Sequence, residues 1–124
     1  MLKKILVVDD EAVLTKMIKM NLERTGNYEV RTENQGSKAL QATREFKPDL
    51  IFMDVMMPDM SGDEAIAEIR EDDNLASIPY VFLTAIVTKA ETEDMGNTIG
   101  GNEFLAKPVK TDELIETIER ILEK

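Results

Sequence analysis

The 124-residue chain contains no cysteine, no histidine and no tryptophan. Without cysteine it has no disulfide framework, no thiolate nucleophile and no cysteine-based zinc site. Without histidine it cannot form a Ser-His-Asp triad, nor can it carry a phosphoryl group on an imidazole of its own. Any catalytic chemistry must therefore come from carboxylates, hydroxyls, lysines or a bound metal ion.

Basic side chains are scarce as well, since 15 Lys and Arg stand against 25 Asp and Glu and the net charge is −10. Such a domain repels phosphate backbones and anionic lipid headgroups, so we expect no direct nucleic-acid binding and no membrane binding. No apolar run reaches the ~18 residues of a membrane span. The N-terminal apolar run ends at Asp9, too early for a signal peptide, and these features together predict a cytoplasmic protein.

An apolar content of 43% in a chain of this length predicts one domain, residues 1–124, with a single ordinary core. Short apolar runs predict strands at 5–8, 28–32, 50–53, 80–83 and 103–106, and helical spacing predicts helices at 11–25, 37–46, 63–70, 88–99 and from 111 onward. This alternation predicts an α/β fold of the flavodoxin-like, doubly wound type. Its five-stranded parallel sheet has the order 2-1-3-4-5 and is covered by five helices.

The helix boundaries are predicted from capping residues and breakers. Asp10, Asp63 and Thr111 are the expected N-caps of the first, third and last helices. The fourth predicted helix has a thin apolar stripe, which Gly96 and Asn97 interrupt. We therefore expect that helix to be short, irregular or mobile.

Polar residues follow four of the five predicted strands: Asp9 and Asp10 the first, Asp54 the third, Thr84 the fourth and Lys107 the fifth. Ligands of a doubly wound sheet bind at this carboxyl edge. A nucleotide-binding version would have a glycine-rich loop after the first strand, where this chain has two acids. Two carboxylates ~4 Å apart repel by about 4 kcal/mol at an effective dielectric near 20. Such a cluster needs a cation or strongly raised pKa values.

Taken singly, each of these residues has an ordinary explanation as a helix cap, a loop acid, a strand end or a solvated charge. Taken together, they favour a phosphoryl site. An all-oxygen ligand set favours Mg²⁺, with Mn²⁺ as an alternative ion. Asp54, on the central strand, is the candidate nucleophile and would form an aspartyl-phosphate. Lys107, the Thr84 hydroxyl and the metal could then each neutralise one phosphoryl oxygen.

Four segments occur in the order and at the spacing of one known family: 7–11 (VVDDE), 47–62 (KPDLIFMDVMMPDMSG), 84–85 (TA) and 104–108 (FLAKP). On these segments the chain resembles, over essentially its whole length, the receiver domain of two-component response regulators. The resemblance implies phosphorylation of Asp54 by a sensor histidine kinase or a phosphotransfer protein, which donates from its own phosphohistidine. It also implies a downstream effector protein.

The same resemblance implies roles for individual residues at the metal site. The ion would be held by Asp10, Asp54 and the backbone carbonyl of Met56, with Asp9 acting largely through water. Lys107 would contact the phosphoryl group, and its peptide bond to the following proline would be cis.

The resemblance also implies a conformational switch. Thr84 would shift toward the phosphorylated Asp54, and Phe104 would turn inward into the space that Thr84 leaves. This movement would change the face formed by the fourth helix, the fifth strand and the last helix, which a partner reads. The protein would be a monomer or a phosphorylation-dependent dimer.

Two apolar residues near the site, Met56 and Ile86, cannot orient an attacking water, so we expect a long-lived phosphoryl state. Under this interpretation the chain is a signalling module rather than an enzyme, because it catalyses only its own phosphorylation and dephosphorylation. Two alternatives remain: a metal-dependent phosphohydrolase with an aspartyl-phosphate intermediate, and a phosphorylation-independent interaction domain of the same fold.

Overall fold

The computed structural model describes residues 2–85, 98–99 and 102–122. Their strands form one sheet in the order β2-β1-β3-β4-β6-β5. The strands are β1 (Lys3–Val8), β2 (Tyr28–Glu33), β3 (Leu50–Asp54), β4 (Tyr80–Thr84), β5 (Thr98–Ile99) and β6 (Asn102–Ala106). All neighbours pair in parallel except β5 and β6. The five parallel strands confirm the predicted order 2-1-3-4-5, with β6 as the predicted fifth strand.

Helices cover both faces of this sheet. The described residues contain α1 (Ala12–Arg24), a 3₁₀ turn (Gly36–Lys38), α2 (Ala39–Phe46), α3 (Gly62–Glu71) and α4 (Thr111–Leu122). Buried residues of α1 and α4 share one core cluster with the sheet, and those of α2 and α3 share the other. No helix among the described residues is long and apolar enough to cross a membrane.

The first strand shows why continuous apolar runs mark the central strands of this sheet. Ile5, Leu6, Val7 and Val8 are all fully buried. Because successive side chains of a strand point to opposite faces, Ile5 and Val7 enter the cluster with α1 and α4, while Leu6 and Val8 enter the other. A sheet covered on both faces has no position for a polar residue until the strand ends, which is where Asp9 follows.

The outer edge of β2 is covered by an ion pair from α1. Lys19 Nζ donates to Glu23 Oε2 at 2.9 Å and to the backbone oxygen of Val30 at 2.6 Å. Glu23 Oε2 accepts a hydrogen bond from the backbone N–H of Val30 at 3.0 Å. Both backbone groups of Val30 are therefore occupied by side chains of the same protein.

Two of the predicted helix caps are wrong. The N-cap of α1 is Glu11 rather than Asp10, because the backbone N–H of Glu11 donates to Asp9 Oδ1 at 2.9 Å and the helix begins only afterwards. The N-cap of α3 is Ser61 rather than Asp63. Ser61 Oγ accepts from the backbone N–H of Glu64 at 3.3 Å and donates to Glu64 Oε1 at 3.1 Å, so the S-x-x-E spacing of a capping box is present and the glutamate bonds the hydroxyl of the cap.

The predicted fourth helix is corrected at its end. Thr98 and Ile99 form a short strand antiparallel to β6, with Ile99 opposite Asn102. Both residues are β-branched, which favours a strand over a helix at this position. The rest of that prediction, on residues 88–97, lies outside the described residues.

The loop after β3 is held close to the strand by Gly62 and Asp59. Gly62 donates its backbone N–H to the oxygen of Val55 at 2.8 Å, and a Cβ at this position would overlap the backbone oxygen of Asp54. The carboxylate of Asp59 accepts the backbone N–H groups of Gly36 and Ser37 at 3.2 and 2.9 Å. Hydrogen bonds from the backbone and side chain of Ser37 and from the backbone N–H of Gly36 lower the pKa of Asp59 to about 2.

We expect Gly62→Ala to destabilise the protein by ~2–3 kcal/mol, because the added methyl group has no space against the Asp54 carbonyl. Gly26→Ala is the matched control, since Gly26 has a φ of +82° but nothing within 4 Å of a Cβ. The control should lose ~1–2 kcal/mol from backbone strain alone. Urea unfolding of both variants measures the difference, and equal losses would contradict the steric argument.

Candidate functional site

The polar residues predicted at the strand ends lie around one cleft of about 320 Å³ at the carboxyl edge of the sheet. The cleft is lined by Asp10, Glu11, Asp54, Met56, Thr84, Ala85 and Lys107. Asp9 lies directly beneath it, since its carboxylate contacts Lys107. The structure thus brings together all five polar residues that the sequence placed at this edge.

Strand register explains why these residues meet. Asp54 is the last residue of β3 and lies opposite Leu83, so Thr84 on β4 follows one position later. Thr84 lies opposite Ala106 on β6, and the backbone N–H of Lys107 donates to the Thr84 oxygen at 2.9 Å. Adjacent parallel strands therefore end within one residue of one another and present their terminal side chains to the same cleft.

Three carboxylates crowd the floor of the cleft. Asp9, Asp10 and Asp54 each have an oxygen within 4.8 Å of the others. Asp9 is fully buried and Asp54 is 4% exposed, whereas Asp10 is exposed. Burial and the charge of Asp9 raise the pKa of Asp54 to about 7, although Lys107 opposes this shift. Burial also raises the pKa of Asp9 above its usual value. The predicted repulsion between the acids is therefore visible in the raised pKa values of Asp9 and Asp54.

Lys107 supplies the positive charge of the site. Its ammonium nitrogen lies 2.7 Å from Asp9 Oδ2, 3.3 Å from Glu11 Oε1 and 3.4 Å from Asp54 Oδ1. Burial disfavours the charged lysine, but the contacts with these acids outweigh burial and raise the pKa of Lys107. The following peptide bond, to Pro108, is cis, as predicted.

The donor set fits a hard divalent cation. Asp9 Oδ2 is buried and accepts no hydrogen bond of good geometry from the described residues, although the Lys107 charge lies close to it. Lys107 compensates Asp9 only in part, because the same ammonium group also faces Glu11 and Asp54. Asp9, Asp10 and Asp54 form a cluster of three carboxylates that could bind a divalent cation.

Met56 lies at the mouth of the cleft. Its backbone N–H donates to Asp54 Oδ1 at 3.4 Å, and the residue is 66% exposed. Met56 thus lines the same cleft as Asp54 with an exposed residue. Ile86, the second apolar residue predicted near the site, lies outside the described residues.

The two predicted switch residues lie on neighbouring strands. Thr84 is almost fully buried at the end of β4. Phe104 on β6 is half-buried, and its ring packs against that of Phe82 with centroids 5.3 Å apart. Phe104 is thus already in contact with the core cluster that contains α2 and α3.

Two residues that sequence reasoning did not single out contribute to the site. Glu11 contacts Lys107, and its position directly after Asp9 and Asp10 was the available signal. Asn34 donates from Nδ2 to the backbone oxygen of Asp9 at 2.8 Å and to Thr15 Oγ1 at 3.0 Å. Asn34 directly follows β2, so its location at a strand end could have identified it.

Comparison with known proteins gives consistent matches along the chain. The family model of the response regulator receiver domain matches residues 5–119. The polar-differentiation response regulator DivK of Brucella anthropi is 36% identical over 121 residues, which are 97% of this chain and 96% of that protein.

The alkaline phosphatase synthesis transcriptional regulatory protein PhoP of Bacillus subtilis is 37% identical over 124 residues. The match covers 98% of this chain but only 49% of that protein, so the chain spans about half its length. The structure of the chemotaxis protein CheY4 of Vibrio cholerae superposes with a TM-score of 0.82 at 31% identity, and covers 98% of this chain and 100% of that one. The sequence motifs, the sheet order and these matches agree, and the chain belongs to the receiver domain family of two-component response regulators.

Proposed function

We propose that the chain is a single receiver domain that accepts a phosphoryl group on Asp54 from a phosphohistidine of a sensor histidine kinase or a phosphotransfer protein. The observation that carries this proposal is the Asp54 carboxylate itself, which lines the cleft 3.4 Å from Lys107 and has its pKa raised to about 7. Members of this family act with kinases and with downstream effectors. We propose the cytoplasm as the location and Mg²⁺, or Mn²⁺ in its place, as the ion.

The proposed reaction is a nucleophilic substitution at phosphorus. A carboxylate oxygen of Asp54 forms a new O–P bond while the P–N bond of the donor phosphohistidine breaks, and the electron pair leaves with the imidazole. With acetyl phosphate the P–O bond breaks and acetate leaves instead. Dephosphorylation is attack by water on the same phosphorus, which regenerates the carboxylate. The chain thereby catalyses only reactions at its own Asp54.

Two side chains are available to stabilise the transferred group. The Lys107 ammonium already lies near Asp54 Oδ1, so a small movement lets it donate to a phosphoryl oxygen. The Thr84 hydroxyl, one strand away, is the candidate donor for a second oxygen. The ion would be held by Asp9, directly or through water, by Asp10 and Asp54, and by the Met56 carbonyl. Its charge would offset that of the remaining phosphoryl oxygen.

We propose that Thr84 and Phe104 transmit the conformational change from phosphorylated Asp54 to the protein surface. A contact between Thr84 and the phosphoryl group exists only in the phosphorylated state, so it supplies free energy for one arrangement over the other. Movement of Thr84 would change the packing of Phe104 against Phe82, which is in van der Waals range in the resting protein. The surface read by the effector would include β6 and α4, and phosphorylation could shift a monomer toward a dimer there.

Incubation with Mg²⁺ and acetyl phosphate should add one phosphoryl group, visible by intact-protein mass spectrometry. Asp54→Asn should abolish the adduct because the nucleophilic oxygen is lost. Asp63→Asn is the control, since Asp63 is an exposed acid outside the cleft, and it should label like the wild type. An unlabelled wild-type protein, or a labelled Asp54→Asn variant, would rule out the proposal.

Without divalent ions, Asp54→Asn should stabilise the protein by ~1–3 kcal/mol at pH 8, because it removes a buried charge that repels Asp9. The folded pKa of Asp54, about 7, lies above its ordinary value of 3.8, so wild-type stability from this group falls as pH rises from about 4 to about 7. The increase in the free energy of unfolding caused by Asp54→Asn should therefore be small at pH 4.5. Urea unfolding with a chelator at both pH values measures it.

Added Mg²⁺ should stabilise the wild type at pH 8 and stabilise Asp54→Asn much less, because the variant has lost one anionic ligand. If Asp54→Asn is less stable than the wild type at pH 8 in the presence of a chelator, the charge of Asp54 is already compensated by groups of the protein.

Replacement of Met56 by Asn should shorten the phosphoryl half-life several-fold, because an amide at the cleft mouth can orient the attacking water and the present thioether cannot. Met20→Asn is the control, since Met20 is exposed on α1, away from the cleft. The decay of phosphorylated protein after removal of the donor provides the measurement. Equal or slower decay in Met56→Asn would count against this explanation.

A further inference from the structure

The resting ion-pair network of Lys107 includes one acid that the proposed reaction does not use. Glu11 Oε1 accepts a hydrogen bond from Lys107 Nζ at 3.3 Å, between residues 96 positions apart in the chain. The backbone of Glu11 is fixed, because its N–H donates to Asp9 Oδ1 and its oxygen accepts the N–H of Thr15 at 3.1 Å. Glu11 therefore stands at the rim of the cleft, with its carboxylate directed to the lysine.

An ammonium group has three N–H donors, and Lys107 has three carboxylates around it in the resting protein. To donate to a phosphoryl oxygen on Asp54, the ammonium group moves further toward that residue, and this movement lengthens its contact with Asp9 or with Glu11. If Lys107 broke its contact with Asp9, a fully buried carboxylate would lose its compensating charge, which is costly. The Glu11 side chain is 62% exposed, so water can solvate its carboxylate once the lysine leaves.

We propose that Glu11 is a positioning residue for Lys107: it holds the ammonium group in its resting position in the unphosphorylated protein and is the contact that Lys107 gives up when Asp54 is phosphorylated. This inference rests on the proposed function. Glu11 and the phosphoryl group compete for the same donor, so the Glu11 contact stabilises the resting state relative to the phosphorylated one.

The proposal predicts a change in the rate of phosphorylation and no change in the rate of dephosphorylation. Loss of the Glu11 contact frees Lys107 before the reaction, so phosphorylation by acetyl phosphate should become about two- to fivefold faster, the range expected for one partly exposed ion pair. Lys107 has already left Glu11 in the phosphorylated protein. The half-life of the phosphoryl group should therefore remain unchanged.

Three variants test this competition, with the rate of Asp54 labelling by acetyl phosphate and Mg²⁺ as the readout. Glu11→Gln removes the charge, and Glu11→Asp keeps the charge but shortens the side chain by one methylene group. Glu29→Gln removes an exposed charge on β2, away from the cleft, and controls for net charge. We expect both Glu11 variants to label two- to fivefold faster than the wild type and Glu29→Gln to label at the wild-type rate.

Several outcomes would overturn the proposal. A Glu11→Asp variant that labels at the wild-type rate would assign the effect to charge repulsion of the donor rather than to the contact with Lys107. Unchanged or slower labelling of Glu11→Gln, or equal changes in labelling and in phosphoryl half-life, would show a structural role instead. If the wild type does not label at all, the proposed function fails and this inference fails with it. If the wild type labels and the Glu11 variants label at the same rate, only this inference is overturned.

Discussion

Repulsion between carboxylates at the carboxyl edge of the sheet, which the Lys107 ammonium offsets only in part, is the interaction on which the rest of the structure depends. Asp9 and Asp54 follow buried strands and are themselves almost completely buried, and Lys107 reaches both of them. One ammonium group cannot neutralise the acids around it, so the pKa of Asp54 stays near 7. A carboxylate whose pKa is raised in this way is more basic once it is ionised, which fits the nucleophilic role that we propose for Asp54.

The fold keeps this unfavourable arrangement in place through contacts around the ends of β1 and β3. Central strands buried on both faces fix the backbones of Asp9 and Asp54 close together. Asn34 ties the end of β1 to α1, and Gly62 allows the loop after β3 to pass directly against the Asp54 backbone. Asp59 fastens the same loop to the turn before α2. Hydrophobic burial elsewhere thus offsets the electrostatic cost that is concentrated at the cleft.

The sheet order and the cluster at its edge could be predicted from the sequence because each rests on a local pattern: continuous apolar runs for buried strands, and the residue that ends each run for the edge. The N-cap of α1 could not be predicted, because a hydrogen bond within the preceding loop sets it, whereas the Ser61 cap of α3 has a local signal in the spacing of Ser61 and Glu64. Asp9 takes the N–H of Glu11 and so shifts the start of α1, and Ser61 precedes Asp63 as the cap of α3. The contact between Glu11 and Lys107 joins distant positions, and no local pattern encodes it.

The ion pair of Lys19 and Glu23 on the border of the sheet has a consequence for assembly. An exposed outer strand offers its backbone as a template to strands of other chains, which leads to aggregation. In β2 both backbone groups of Val30 already bond to this pair, so another chain would have to displace two charged side chains before it could add a strand there. Strand addition at this position therefore carries the cost of two charge-assisted hydrogen bonds, and the pair guards this border of the sheet against main-chain pairing with another copy.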